Sequence, residues 1–432
     1  MKYNILYILL ICCFSYQGTA QTAKASSGSF ALSNATIVTV TKGTIENGTL
    51  LIENGKITAV GKEVAIPDGV TTIDCSGKLI YPGMIDSGTQ LGMAEVNAVS
   101  LTVDHNEVGD IKPHMQALTA INPNNVAIPV TRVNGVTTVL SVPTGGLIPG
   151  TAALINLVGY TPNQMYAGFK GVAINFPNSN KRGRRDRRSE EDRRKEETKK
   201  LKNLNEIWEQ ASLYAKIDSV SQSNKSLRPE YNPQMEAMLP VIQGKMPVLV
   251  EVNQEKSILS AIKWIQKNKI NAVLTGVAEG WRVAKEIAAS KIPVITGPVL
   301  SIPTRASDRY DTRYTNAGIL HKAGVKVALR TNDSENVRNL PFNAGFAAAY
   351  GMGKEAALEA VTINPAEIFG VADQLGSLEV GKSANLIVTD GDPFETKTQI
   401  SHLFINGWQV AIDSRHIQLY NEFLDRSPGL KK

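Results

Sequence analysis

The chain has 432 residues, 42% of them hydrophobic and 20% charged, with a formal net charge of +6. That balance excludes a disordered or low-complexity protein, and the length allows either several domains or one barrel with additions. The positive excess sits largely in one run, residues 181–200, which also carries acids and interleaves no aromatics, so nucleic acid is not expected as a partner.

Residues 1–20 have the grammar of a signal peptide. Lys2 gives a short positive start, Ile5 to Phe14 an apolar run, and Gly18-Thr19-Ala20 small residues for cleavage before Gln21. The run is short for a membrane span, so no transmembrane segment is expected. A lipoprotein anchored through Cys12 or Cys13 is the rival reading, although Ile11 or Cys12 before the cysteine suits a lipobox badly. The mature chain then keeps only Cys75 and forms no internal disulfide. An exported, periplasmic protein that relies on its packed core is the expectation.

Residues 29–81 alternate in the manner of short strands. Ala35–Val40, Thr49–Ile52 and Lys56–Gly61 are separated by Asn47-Gly48 and Asn54-Gly55, which predict two hairpin turns in succession. Thr71–Asp74 and Lys78–Tyr81 add further strands. The C-terminal part reads the same way, with strands over Ala384–Thr389 and Ile400–Ile405 and a turn at Asn406-Gly407. A β-rich piece at each end predicts one domain completed by both termini, from residues 21–82 and 372–432.

Between these pieces strand and helix alternate. Strands are predicted at Gly135–Leu140, Gly171–Asn175, Pro247–Val252, Ala272–Leu274, Ile292–Ile295 and Val325–Leu329. Helices are predicted at Glu255–Asn268, Glu279–Ala289, Asn316–Ala323 and Lys354–Val361. The alternation implies parallel β/α architecture; an open doubly wound sheet and a closed barrel share this pattern. Residues 178–203 interrupt the rhythm as a charged insertion. Glu190–Arg194, Glu191–Lys195 and Glu196–Lys200 are spaced i,i+4 as on a solvated helix. Leu201, Leu204, Trp208, Ala211 and Ala215 then share one helical face that should dock, while the first half projects into solvent or stays disordered.

Several ordered segments carry a resemblance. They are Glu46–Gly61, Pro82-Gly83-Met84-Ile85-Asp86, Asn134–Val139, Ala360–Ala366 and Gly376–Leu386. Together they resemble the imidazolonepropionase-like branch of the amidohydrolase superfamily over nearly the whole mature chain. The resemblance implies a metal-hydrolase (β/α)8 TIM barrel over residues 83–371, flanked by a β-sandwich from both chain ends. It also implies one or two divalent metals at the C-terminal ends of the strands, activating water against cyclic amides, ureas, dipeptides and related C–N bonds. The family's ligands are a His-x-His pair, a carboxylated lysine or glutamate, two later histidines and a final aspartate.

Set against that pattern, the His-x-His places hold Gly88 and Gln90, neither a good ligand for a transition metal. The strand Gly171–Asn175 offers no acid at its end, and Lys170 lies just outside the register. The next positions fall on Glu251 and on Thr275 or Gly276. Asp333 matches the final aspartate, or Asn332 does under a one-residue shift. The five histidines, His105, His114, His321, His402 and His416, form no HxH or HxxxH pair. His105 and His114 lie on a loop with Asp104, Glu107 and Asp110, which reads more simply as a solvated polar loop than as a metal site.

Glu251 and Asp333 are the remaining catalytic candidates, as a carboxylate pair for acid and base work. Their plainer reading is structural, paired to Arg305, Arg309, Arg330 or Arg338. The concerted absence of ligands predicts a non-catalytic binding or assembly protein acting through the barrel mouth, with no metal cofactor. Its partner would be a small molecule or a periplasmic protein, and a homo-oligomer is compatible with it. The alternatives are a hydrolase of non-peptide or dipeptide C–N bonds with an atypical site, holding zinc or another divalent metal, and a partner-binding role centred on the charged insertion.

Overall fold

The structure is a computed structural model that describes residues 25–179, 186–224, 226 and 228–426. The predicted leader, with Cys12 and Cys13, and the first part of the basic run lie outside the described residues. No helix among the described residues is long and apolar enough to cross a membrane.

One sheet takes strands from both ends of the chain. Its N-terminal strands are β1 (Phe30–Val38), β2 (Thr44–Glu53), β3 (Lys56–Gly61), β4 (Thr71–Asp74) and β5 (Leu79–Pro82). β1, β2 and β3 form an antiparallel meander, whereas β4 and β5 run parallel to β1. Phe30, Leu32, Ile37, Leu50, Ile52 and Ile80 make its core with Leu386, Val388 and Phe404 from the C-terminal strands.

Asn54-Gly55 makes the predicted tight turn, with both residues at positive φ. Asn47-Gly48 does not. It lies inside β2, where the register shifts opposite Ala35, and the left-handed Asn47 there makes a bulge instead of a turn. A Cβ at position 48 would meet Ile37 Cδ1 at 2.8 Å, so glycine answers to close packing in the bulge. The β1–β2 connection is instead made around Val40 and Gly43, both at positive φ.

At Gly83 the chain passes into a second, eight-stranded sheet that curls into a barrel. In spatial and chain order its strands are β6 (Met84–Thr89), β7 (Val136–Ser141), β8 (Gly150–Asn156), β9 (Tyr166–Asn175), β10 (Val248–Val252), β11 (Ala272–Gly276), β12 (Val294–Thr296) and β13 (Val327–Leu329). Every ladder is parallel except the two made by β8, which runs antiparallel to β7 and β9. The strict β/α alternation expected from the sequence therefore breaks once. The link from β7 to β8 has no helix, and so short a connection leads only to an antiparallel neighbour.

β13 and β6 close the barrel without a regular ladder. Leu329 N donates to Ala360 O (2.9 Å) and Ile85 N to Val361 O (2.7 Å), so residues 360–361 bridge the seam. Nearer the mouth, Asn332 N donates to Gly88 O (2.9 Å) and Gln90 N to Asp333 O (3.0 Å).

Helices Glu255–Asn268 and Thr312–Lys322 cover the barrel much as expected. The predicted Glu279–Ala289 helix is split into a 3-10 turn, Gly280–Arg282, and a helix, Ala284–Ser290. Across the insertion one helix runs from Glu190 to Ser221, capped by Ser189 on Asp192 N. Its first turns are exposed and laced by the Arg194–Glu190, Lys195–Glu191 and Lys200–Glu196 pairs. In its second half Leu204, Trp208 and Ala211 are buried as predicted, and the Trp208 ring meets Trp264 edge-on at 5.3 Å.

The C-terminal strands β14 (Leu386–Thr389), β15 (Ile400–Ile405) and β16 (Trp408–Val410) complete the first sheet, β14 pairing antiparallel with β5. Helix Arg415–Asp425 follows.

Candidate functional site

The C-terminal ends of the parallel strands converge on one side of the barrel, where this architecture places its chemistry. A cavity of about 180 Å³ lies there, lined by residues of β6, β7, β9, β10 and β11 and of the turn after β13. A second hollow of about 480 Å³ shares Gly145, Asn175 and Glu251 with it and extends outward to Asp110 and Lys200. The charged insertion thus reaches the rim of the mouth through Lys200.

Glu251 sits at the centre, and its carboxylate is fully engaged. Arg330 holds it from both sides, Nη1 to Oε2 at 2.8 Å and Nη2 to Oε1 at 2.9 Å. Thr275 Oγ1 donates to Oε2 at 2.7 Å and Asn253 Nδ2 to Oε1 at 3.0 Å. The Arg330 side chain keeps 6% of its surface and Glu251 29%, so the pair is buried on one side and open to the cavity on the other. Burial alone would raise the Glu251 pKa. The Arg330 charge and these hydrogen bonds outweigh it and hold the carboxyl below its ordinary value.

The positions around this pair are shaped to admit it. A Cβ at Gly88 would meet Arg330 Cδ at 2.9 Å, and one at Gly276 would meet Glu251 Oε1 at 2.6 Å. A side chain at either place would force Arg330, Glu251 or Asn253 to shift. Where the resemblance put metal ligands, the structure therefore puts the space for a guanidinium and the carboxylate that binds it. Thr275, another such position, is a hydrogen-bond donor to that carboxylate.

Asp333 is not part of this group. Its Oδ1 accepts from Glu335 N (2.8 Å) and Asn336 N (3.0 Å), closing the turn that leads into the 3-10 segment Asn336–Asn339. Burial would raise its pKa, but these N–H groups keep it below its ordinary value. The expected Glu251–Asp333 pair is thus not formed; Asn332, the alternative position, lines the cavity instead. Of the four arginines considered as partners, Arg330 pairs with Glu251. Arg305 binds the fully buried Glu279, Arg309 binds Asp311, and Arg338 donates to Asn336.

Asp86 gave no signal as a site residue, yet it is one of the most buried charges in the barrel. It accepts from Gly88 N (3.0 Å), Thr331 N (3.2 Å) and Thr331 Oγ1 (2.6 Å), joining β6 to the turn after β13. Burial pushes its pKa up to about 7 against the pull of these bonds and of Arg330. The one sequence cue for Asp86 is a charge inside β6 directly behind Met84 and Ile85, as Arg330 stands directly behind the apolar β13.

The remaining candidates do not assemble. Lys170 points to Gln116 Oε1 (2.8 Å), and His105 Nδ1 bonds Thr144 Oγ1 (2.8 Å). His402 meets Gln409, while His321 and His416 lie on surface helices. Asp104, Glu107 and Asp110 do not converge with them. Among the described residues no three His, Cys, Asp or Glu side chains come together to hold a metal ion. The donor set at the mouth, one carboxylate already bound by arginine beside amides and hydroxyls, does not match a histidine-rich divalent site.

Comparison with known proteins agrees with the fold. The family model described as Amidohydrolase family matches residues 265–412. A solved amidohydrolase from Thermotoga maritima superposes with a TM-score of 0.79 at 27% identity, over 88% of this chain and 99% of that one. An imidazolonepropionase from Shouchella clausii is 38% identical over 89 residues, 20% of each protein. Amidohydrolase tasK from Hapsidospora irregularis is 22% identical over 402 residues, covering 83% of this chain and 39% of that protein. The chain thus spans well under half the length of these curated relatives. The barrel, the composite sheet and these matches together support a place in the amidohydrolase superfamily, imidazolonepropionase-like in the segment shared with that enzyme.

Proposed function

We propose that this protein is a non-catalytic member of its superfamily that binds a small molecule at the barrel mouth, with the metal centre replaced by the Arg330–Glu251 pair. The observation that carries this reading is the fit between the ion pair and the missing side chains. Gly88 and Gly276 leave room for Arg330 and Glu251 and would clash with them if enlarged. A guanidinium cannot deliver a metal-activated hydroxide, and the acid at hand, Glu251, accepts four hydrogen bonds and is held ionised. It is poorly placed to donate or accept a proton during a reaction.

The apolar run at residues 5–14 supports export, so a periplasmic small molecule or protein is the partner class we favour. The hydrolase alternative rests on what the relatives are called and would require a site other than the one built around Glu251. Turnover separates the two. The mature, tag-free protein, assayed with and without added zinc or manganese on hydantoins, dihydropyrimidines and dipeptides, is expected to show none above background. Turnover that copurifies with the protein would overturn the proposal, and its persistence or loss in Glu251→Gln would say whether it arises at this site or at another.

A further inference from the structure

The hydrogen-bonding capacity of the mouth is lopsided. The Glu251 oxygens already accept from Arg330, Thr275 and Asn253. Donors, by contrast, are left over. Ser87 Oγ and Arg330 Nε are buried and have no hydrogen-bond partner, although both residues line the 180 Å³ cavity. Ser87 is 1% exposed and Arg330 5%. A buried donor without an acceptor costs about 1–3 kcal/mol, and such orphans in a native cavity mark what a ligand supplies. The amides of Gln90 and Asn332 also line the cavity, and no side-chain hydrogen bond ties up either one among the described residues.

Charge leans the same way. Arg330 and the largely buried Arg313, which feels both Arg330 and Glu251, oppose the single carboxylate of Glu251. Asp86, with its pKa raised to about 7, carries only part of a charge at neutral pH. With the Glu251 oxygens engaged, a guanidinium N–H left over and surplus positive charge, the site favours an acceptor-rich, anionic ligand, towards which the Ser87 hydroxyl and the Gln90 and Asn332 amides can turn their donors.

We propose that the cavity between β6, β7, β10 and the turn after β13 binds a small organic carboxylate, whose oxygens take the free donors of Ser87 and Arg330. The volume guides the size of the part held there, since an enclosed space of about 150 Å³ accepts a benzene-sized molecule. The 180 Å³ cavity then suits roughly six to eight non-hydrogen atoms. The inference rests on the non-catalytic reading of the same site, and it can fail while that reading stands.

The test is calorimetric titration of the mature protein with acetate, propionate, lactate, succinate and glutarate, each beside its isosteric amide. At least one carboxylate is expected to bind one-to-one, with its amide at least tenfold weaker. Ser87→Ala should weaken that carboxylate about tenfold while leaving the ligand-free melting temperature unchanged or higher, because it removes an orphaned hydroxyl. Three results would overturn the inference: no carboxylate binds, amides bind equally well, or Ser87→Ala leaves the affinity as it was. None of these touches the non-catalytic reading, which falls only if turnover or a stoichiometric metal is found.

Discussion

At the residue scale the account turns on Arg330. Its two hydrogen bonds to Glu251 fix a positive charge at the barrel mouth, beside positions where the resemblance puts metal ligands, and Gly88 gives the side chain its passage. Removing one partner of such a pair strands the other. Arg330→Ala is therefore expected to cost about 3 kcal/mol, at the low end for a buried pair because Glu251 is partly open to the cavity. Replacing both, as Arg330→Met with Glu251→Leu, should recover most of that loss, since two apolar side chains leave no charge unpaired. Urea unfolding of the single and double variants checks it. Equal losses in both would mean that shape at the mouth matters and charge pairing does not. The sign for Glu251 follows from its lowered pKa: the pair stabilises fully above the unfolded glutamate range and weakens as pH falls through the lower folded value.

At the element scale the weak place is the seam between β6 and β13, which has no regular ladder and depends on Asp86. The folded pKa of about 7 lies above the unfolded aspartate value, so the folded state holds a proton that the unfolded state releases. The Asp86 contribution is complete at acid pH, below the unfolded value, and is lost as pH rises through about 7. Melting temperatures measured from pH 4 to pH 8 should shift in favour of Asp86→Asn relative to the wild type as pH rises. A constant difference across that range would contradict this.

The insertion helix makes a second prediction. Trp208→Ala removes a buried ring against Trp264 and should cost about 3–5 kcal/mol, while Arg194→Ala, on the exposed turns, should change stability by less than about 0.5 kcal/mol. Thermal denaturation of the two variants distinguishes a docked half from a solvated one, and comparable losses would refute that division.

At the scale of the whole molecule, much was legible from the sequence. Apolar periodicity found the barrel strands Val136–Ser141 and Val248–Val252 and the helix Glu255–Asn268, because these segments bury one face or both. β8 was missed as a strand because Gly150–Asn156 is buried throughout and so shows no alternation, with Thr151 and Asn156 interrupting its short apolar stretch. The two Asn-Gly pairs near the start look alike in sequence, yet one turns the chain and the other bulges a strand. Both put asparagine at positive φ, and only the pairing partner tells them apart. At the site, the departures from the family's ligand pattern at Gly88, Gln90 and Thr275 were legible position by position. Arg330 was one of four arginines open as a partner of Glu251; which of them pairs was not legible, because the two residues lie 79 apart in sequence, and the meaning of Gly88 appears only once Arg330 is seen beside it. Asp333 misled because an acid after the last barrel strand can serve the mouth or close a turn, and here two backbone N–H groups claim it.

The proposed function replaces the family's metal centre with an arginine–glutamate pair. Elemental analysis of the purified, tag-free protein, prepared without chelators and in medium supplemented with zinc, manganese and iron, tests it most directly. Well under about 0.1 equivalent of any transition metal per chain is expected, because among the described residues no three His, Cys, Asp or Glu side chains come together to hold one. One equivalent of zinc, manganese or iron, lost on Glu251→Gln substitution, would contradict it.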